Sequence, residues 1–281
     1  MDIFTDRKLY PSEEEHLKKH FSTYYSTVFI SFLPFFKVLN NGNSEAISAT
    51  KKTSNEDIKS KFPEIVGLPI DNAQAYIKNN EYPDNQTILQ EAEVISWNDV
   101  ISNSGLGNIS ELNKALKTSI GSYRKELQRP DLSEKLNIYT KENQIWQPTE
   151  GCFDVLTKRK IFHFLRSLGK RDIIVTDEFF EHNYTLNLDK LEEQAFIERI
   201  AHKDYYIYPS DKEVIFTIDW DSFFFVIATN TEKENEIQNS FEGFLADENT
   251  THLWDWEIGE IDKILAAQKV KKKAWWKRLM D

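Results

Sequence analysis

KDYYIYPSDKEVIFTIDWDSFFFVIATN, residues 203–230, decides the fold. Three runs within it, KDYYIYP, EVIFTID and SFFFVIATN, are dense in Tyr, Phe, Ile and Val, the side chains that suit a pleated, packed surface. The last two runs are separated by Trp220 and Asp221, which predicts an antiparallel hairpin. Upstream, DIIVTDEFF from Asp172 reads as a further strand and Leu188 to His202 as an amphipathic helix. Downstream, GFLAD and HLWDW read as two short strands.

Before residue 172 helical patterns dominate. Ser12 and Glu15 have capping-box spacing and predict a helix from Glu13 to His20. Tyr24 to Phe36 is too short and too interrupted for a membrane span and reads as buried core. Residues 40–60 are polar and without periodicity, the mark of a loop. Asp71 to Lys78 resembles a short helix and Leu89 to Ser96 an extended segment. Helices are expected over Asn98 to Ser104, from Ser110 through Leu127 to the break at Pro130, over Leu132 to Asn143, and over Phe153 to Leu168 with Gly169 as the left-handed cap. In the second of these, Leu112, Ala115, Leu116, Ile120, Tyr123 and Leu127 recur every three or four residues and make one apolar face. The expected class is therefore α+β, a helical N-terminal half followed by a largely antiparallel sheet with flanking helices. A division near Pro148 would give a mainly helical region over 1–147 and an α+β region over 148–281.

The 281 residues are 40% hydrophobic and 13% aromatic, enough apolar material for one or two packed domains. The first twenty residues lack the apolar core of a secretory signal, and the single Cys152 can form neither an internal disulfide nor a CxxC metal pair. Both features point to the cytoplasm. A net charge of −11 argues against general nucleic-acid binding. Residues 177–262 carry 22 acidic against 5 basic residues, while 263–281 carry 7 basic against 1 acidic, so an acidic body is followed by a basic tail. An acidic body suits a cationic partner or a divalent cation, and equally a plain solvated surface.

Catalytic signatures are missing. GLGNIS ends in Ser110 where a dinucleotide fingerprint needs its third Gly, and there is no P-loop and no GxSxG elbow. The pair of short helices in WNDVISNSGLGNISELNKAL suggests a helix-turn-helix, but either choice of turn glycine puts Glu111 and Lys114, or Asn113, where an apolar residue is needed. His16 and His20 share a helical face without a third ligand, and Cys152 reads as a structural thiol. The most chemical set lies at the strand ends: Asp177 and Glu178 after one strand, Asp219, Trp220 and Asp221 at the hairpin, and His252 and Asp255 in the next connection. If these converged they could hold a divalent cation or perform acid and base chemistry, although Asp is also a favoured turn residue. The tail is expected to form a helix from Ile258 to Leu279 with Ile258, Ile261 and Leu265 inward, its Trp275 and Trp276 docking on this chain or on a second copy rather than on an anionic surface.

TSIGSYRKELQRPDLSEKL, DEFF, TIDWDSFFFVIATN and FEGFLADENTTHLWDW together resemble an uncharacterised bacterial family, a domain of unknown function, over roughly residues 62–256. The resemblance implies no activity and no cofactor. It implies that Asp177, Glu178, Trp220, Asp221 and the Trp254 segment are family features, with DEFF standing where DEFG is expected. The functional expectation is a cytosolic protein that binds a protein partner through its acidic, aromatic-rich C-terminal half. The alternatives are a metal-dependent enzyme using the strand-end acids and a DNA binder using the basic helix from Ser110.

Overall fold

Strands buried on both faces are apolar at nearly every position, and residues 203–230 show that pattern in full. They form β8 (Asp204–Pro209), β9 (Val214–Ile218) and β10 (Phe224–Thr229). In the computed structural model, which describes residues 2–39, 47–53 and 75–268, these strands lie at the heart of an antiparallel seven-stranded sheet. Its order is β11 (Gly243–Leu245), β1 (Thr27–Phe32), β10, β9, β8, β6 (Asp172–Asp177), β7 (Asn183–Asn187). Two smaller pairs stand apart, β2 (Phe35–Val38) with β5 (Ala92–Ile95) and β3 (Thr50–Thr53) with β4 (Ala75–Lys78).

Alternation along β10 divides the interior into two cores. Phe225 and Ile227 face a layer built from α6 (Val155–Ser167), α7 (Glu193–Arg199) and α8 (Glu234–Ser240), with α2 (Asn85–Glu91) at its edge. Phe224, Val226 and Ala228 face the other layer, built from α1 (Leu17–Phe21), α3 (Trp97–Ser104), α4 (Ile109–Ile120) and α5 (Pro130–Glu142). The α+β class holds, with most helices in the first half and most of the sheet in the second. Yet β1, from the apolar run at Tyr24 to Phe36, pairs with β10 and β11, and both cores draw on residues before and after 147.

Several elements differ from their sequence reading, each for a local reason. The first helix begins at Leu17 rather than Glu13, with His16 as its cap, and Leu17 N donates to Thr250 O at 2.9 Å. Residues 75–78, expected in a helix, are a strand because β3 pairs with them, and β3 itself falls inside the loop expected over 40–60. The extended segment expected from Leu89 starts only at Ala92, after a helix capped by Asp84. The helix expected from Ser110 is capped by Asn108, whose side chain accepts from Glu111 N, and stops at Gly121 with φ +75°. Tyr123 and Leu127 therefore lie beyond it and pack with Trp256 instead. Leu188–Lys190 is a separate 3-10 turn ahead of α7, and HLWDW forms turns instead of a strand. At the end of the described chain, residues 260–268 are helical. Ile261 and Ile264 pack toward Trp256 while Ile258 is 84% exposed, so the inward face is one step away from that expected. Leu265 is half-buried, and Trp275 and Trp276 lie outside the described residues.

Candidate functional site

Antiparallel order brings the ends of β6, β9 and β1 to one rim of the sheet with the starts of β8 and β10. Two turns emerge there. In the β6–β7 turn, Asp177 folds back on its own loop: its Oδ1 accepts from Glu181 N at 2.9 Å and its Oδ2 from His182 N at 3.2 Å. That satisfied, buried carboxylate leaves Glu178 and Phe179 facing solvent, Phe179 at 71% exposure. In the β9–β10 turn, Ser222 N donates to Asp219 O at 3.1 Å and Trp220 is thrown outward, 61% exposed. Residues 149–151 lie against this turn, with Gly151 N donating to Ser222 O at 2.9 Å.

Between the turns is a cavity of about 160 Å³. It is lined by Tyr10, Pro11, Glu178, Tyr205, Tyr206, Ile218, Asp219 and Trp220, and the surface facing it is mostly polar. Burial pushes Asp219 up to about 6; Asp221 and Glu178 add to the rise, and Lys117 opposes it. Glu150 is pushed up to about 7 by burial and by Asp221.

Behind the cavity lies a buried polar chain. His252 Nδ1 is 2.8 Å from Tyr10 Oη, and its Nε2 is 3.4 Å from Lys117 Nζ and 3.7 Å from Asp219 Oδ2. Burial, reinforced by Lys117, holds His252 well below the usual histidine range, so the ring is neutral and its approach to Asp219 is not an ion pair. An ammonium only donates, so Nε2 accepts from Lys117, and the ring proton sits on Nδ1 and is donated to Tyr10. One turn up α4, Asn113 Nδ2 donates to Asp255 Oδ2 at 3.0 Å, and Tyr123 Oη donates a short hydrogen bond to the same oxygen. Trp256 Nε1 in turn donates to Tyr123 Oη at 3.2 Å, and Lys114 Nζ lies 3.8 Å over the Trp256 ring. Asn113, Lys117, His252 and Asp255 are all at most 4% exposed.

The titration of Asp219 has a consequence for stability. A carboxyl whose folded pKa lies above its unfolded value favours the fold while protonated, so its contribution is full below about pH 4 and is lost as pH rises through about 6. Asp219→Asn removes that titration and leaves the His252 contribution common to both proteins. Urea unfolding at pH 4, 5, 6 and 7 should show the variant gaining on the wild type by about 2 kcal/mol across this range, less than a full two-unit shift because water reaches part of the side chain. A difference independent of pH would mean that Asp219 titrates like an exposed carboxyl.

The structure thus gathers Glu178, Asp219 and Trp220 around one cavity, with His252 in contact behind Asp219. Asp221 lies beside Glu150, Asp255 belongs to the Lys117 network, and Asp177 serves its own turn. Among the described residues, no group of three or more His, Cys, Asp or Glu is placed to hold a metal ion. His20 is already bonded to Glu15 and to Lys8 O, and burial pushes the Cys152 thiol up to about 12. Of the basic residues expected on one helix, Lys114 and Lys117 are buried against the body and the exposed Arg124 and Lys125 lie beyond its end at Gly121, so these four do not form one exposed cationic helix face. Tyr10, Asn113 and Tyr123 are not among the site residues read from the sequence, and Lys117 enters that reading only as part of the basic helix of the DNA-binding alternative. The available signal was Asn113 and Lys117 lying in the apolar stripe of Leu112, Leu116 and Ile120.

The model of a protein family, described as a protein of unknown function (DUF2711), matches residues 13–256. The chain belongs to the DUF2711 family. That match takes in the cavity except for Tyr10 and Pro11, and all of the Lys117 network except Tyr10. A relative outside this chain, the uncharacterized protein YwbB of Bacillus subtilis (strain 168), is 23% identical over 175 residues, 62% of this chain and 77% of that protein. No solved structure matches. Among the described residues of this DUF2711 protein, no helix is long and apolar enough to cross a membrane.

Proposed function

We propose that this protein is a cytosolic interaction protein that binds a basic protein partner through the acidic, aromatic rim of its sheet, in the manner of an immunity protein neutralising a cationic toxin. The observation that carries this reading is the pair of large aromatic side chains held in solvent on neighbouring turns. Trp220 is 61% and Phe179 71% exposed, and Glu178, Asp219 and Asp221 adjoin them. Exposing such rings costs apolar hydration, and aromatic anchors ringed by charge are what a specific interface buries on binding. The excess of acidic residues over 177–262 supplies the long-range attraction that would steer a basic partner to this rim.

The test is affinity capture from host extract at low salt, with wild-type protein beside a Trp220→Ala/Phe179→Ala double variant. Both side chains are exposed, so the variant should fold as the wild type does. The wild type should retain a basic protein in 1:1 ratio that is released as salt is raised, and the variant should retain at least about tenfold less. Equal capture by both proteins, or no stoichiometric partner at all, would remove the reading.

A further inference from the structure

We infer that the cavity between the two turns is a receptor for a guanidinium group, the side chain of an arginine presented by the partner. This deepens the interaction reading above and rests on it. With about 160 Å³, the cavity is small beside the roughly 300–1,000 Å³ of sites for drug-sized ligands, so it admits the head of one side chain and not a nucleotide or coenzyme. Its chemistry is one-sided. Glu178 and Asp219 line it together with three tyrosines and Trp220, the surface facing it is mostly polar, and no basic side chain is among the lining residues. Glu178 and Asp219 supply formal negative charge where the wall is partly desolvated, and the exposed Trp220 ring beside them offers a face that attracts cations.

Between the two protein cations, geometry and hydration favour arginine. A guanidinium is planar and weakly hydrated, so it can stack on a Tyr or Trp face while its fork of donors meets a carboxylate. A lysine ammonium is a strongly hydrated point charge that gives up more on entering. An arginine–aromatic contact already lies next to the cavity. Arg7 lies with its Cζ 5.7 Å from the centre of the Phe180 ring, and Phe180 stacks on Tyr206, one of the cavity's own walls. The nearest buried cation, Lys117, is engaged behind the wall with His252 and does not line the space.

The protein alone, without any partner, tests the assignment. Nα-acetyl-arginine methylamide, its lysine counterpart and its neutral citrulline isostere are titrated while the tryptophan indole N–H resonances are followed by NMR. The Trp220 signal is identified as the one lost in Trp220→Phe. The arginine probe should shift that resonance to saturation with a Kd at least about tenfold below that of citrulline, and below that of lysine. Glu178→Gln, on an exposed turn, and Asp219→Asn, inside the wall, should each weaken the arginine probe several-fold. The first keeps the test valid if the second disturbs folding. Equal affinities for arginine and citrulline, or no shift of the Trp220 signal, overturn the inference, and tighter binding of lysine overturns the guanidinium assignment. Because partner capture is read separately, captured partner with no guanidinium selectivity would end this inference while leaving the interaction reading in place.

Discussion

Replacing Gly151 by alanine should destabilise the protein by about 3 kcal/mol or more, while the same change at Gly169 should cost only about 1 kcal/mol. Both glycines have positive φ, +61° and +68°, so both substitutions meet the same left-handed backbone penalty. They differ in the space available. A Cβ at Gly169 would meet nothing within 4 Å, whereas one at Gly151 would fall 1.8 Å from the carbonyl oxygen of Trp220. That obstacle is backbone and cannot swing aside. Either the hydrogen bond from Gly151 N to Ser222 O breaks or the β9–β10 turn moves with Trp220 on it. Urea denaturation of the two variants separates contact from conformation, because the difference between them isolates the contact. If Gly151→Ala costs no more than Gly169→Ala, residues 149–151 do not brace the turn. If it costs more and also weakens partner capture, the brace is part of how the rim is held ready to bind.

The turn and its brace illustrate what sequence shows and what it hides. The β9–β10 hairpin was legible because nearly every residue in it is buried, and burial of that kind writes itself as a continuous apolar run. The acids at Asp219 and Asp221 were legible as turn residues. What the turn touches was not: Gly151 lies more than sixty positions upstream, and a glycine needed for close approach looks like any other glycine. The end of α4 was misread for the opposite reason. Gly121 offered a stop, but Tyr123 and Leu127 continue the helical spacing because they pack with Trp256 from outside the helix. Periodicity records which side chains are buried and not which element buries them. The strand Ala75–Lys78 was misread as the end of a short helix from Asp71, because so short a segment holds too little of any period to distinguish a strand from helix.

Lys117 was the least legible residue of the site, and it carries the other large expected effect. A lysine on a helix normally reads as solvent-facing, and its place in the apolar stripe is the one local sign that this one is 4% exposed. Its burial depends on His252 and Asp255, more than 130 positions away. Lys117 opposes the burial-driven rise of Asp255, whose carboxylate is otherwise held by neutral donors from Asn113 and Tyr123. Lys117→Met keeps the length and apolar stem while deleting the charge, and should cost about 3–5 kcal/mol at neutral pH, the range seen when one partner of a buried charge set is removed. The sign with pH follows from Asp255. Its folded pKa is already raised and would rise further without the lysine, so the variant's deficit should shrink as pH falls and the carboxyl takes up its proton, and grow as pH rises. Adding Asp255→Asn removes the uncompensated charge, so the double variant should recover part of the loss and give a coupling of about 1–3 kcal/mol in a double-mutant cycle. Additive losses, or a deficit that does not change with pH, would show that Lys117 stabilises through its packed stem and not through its charge.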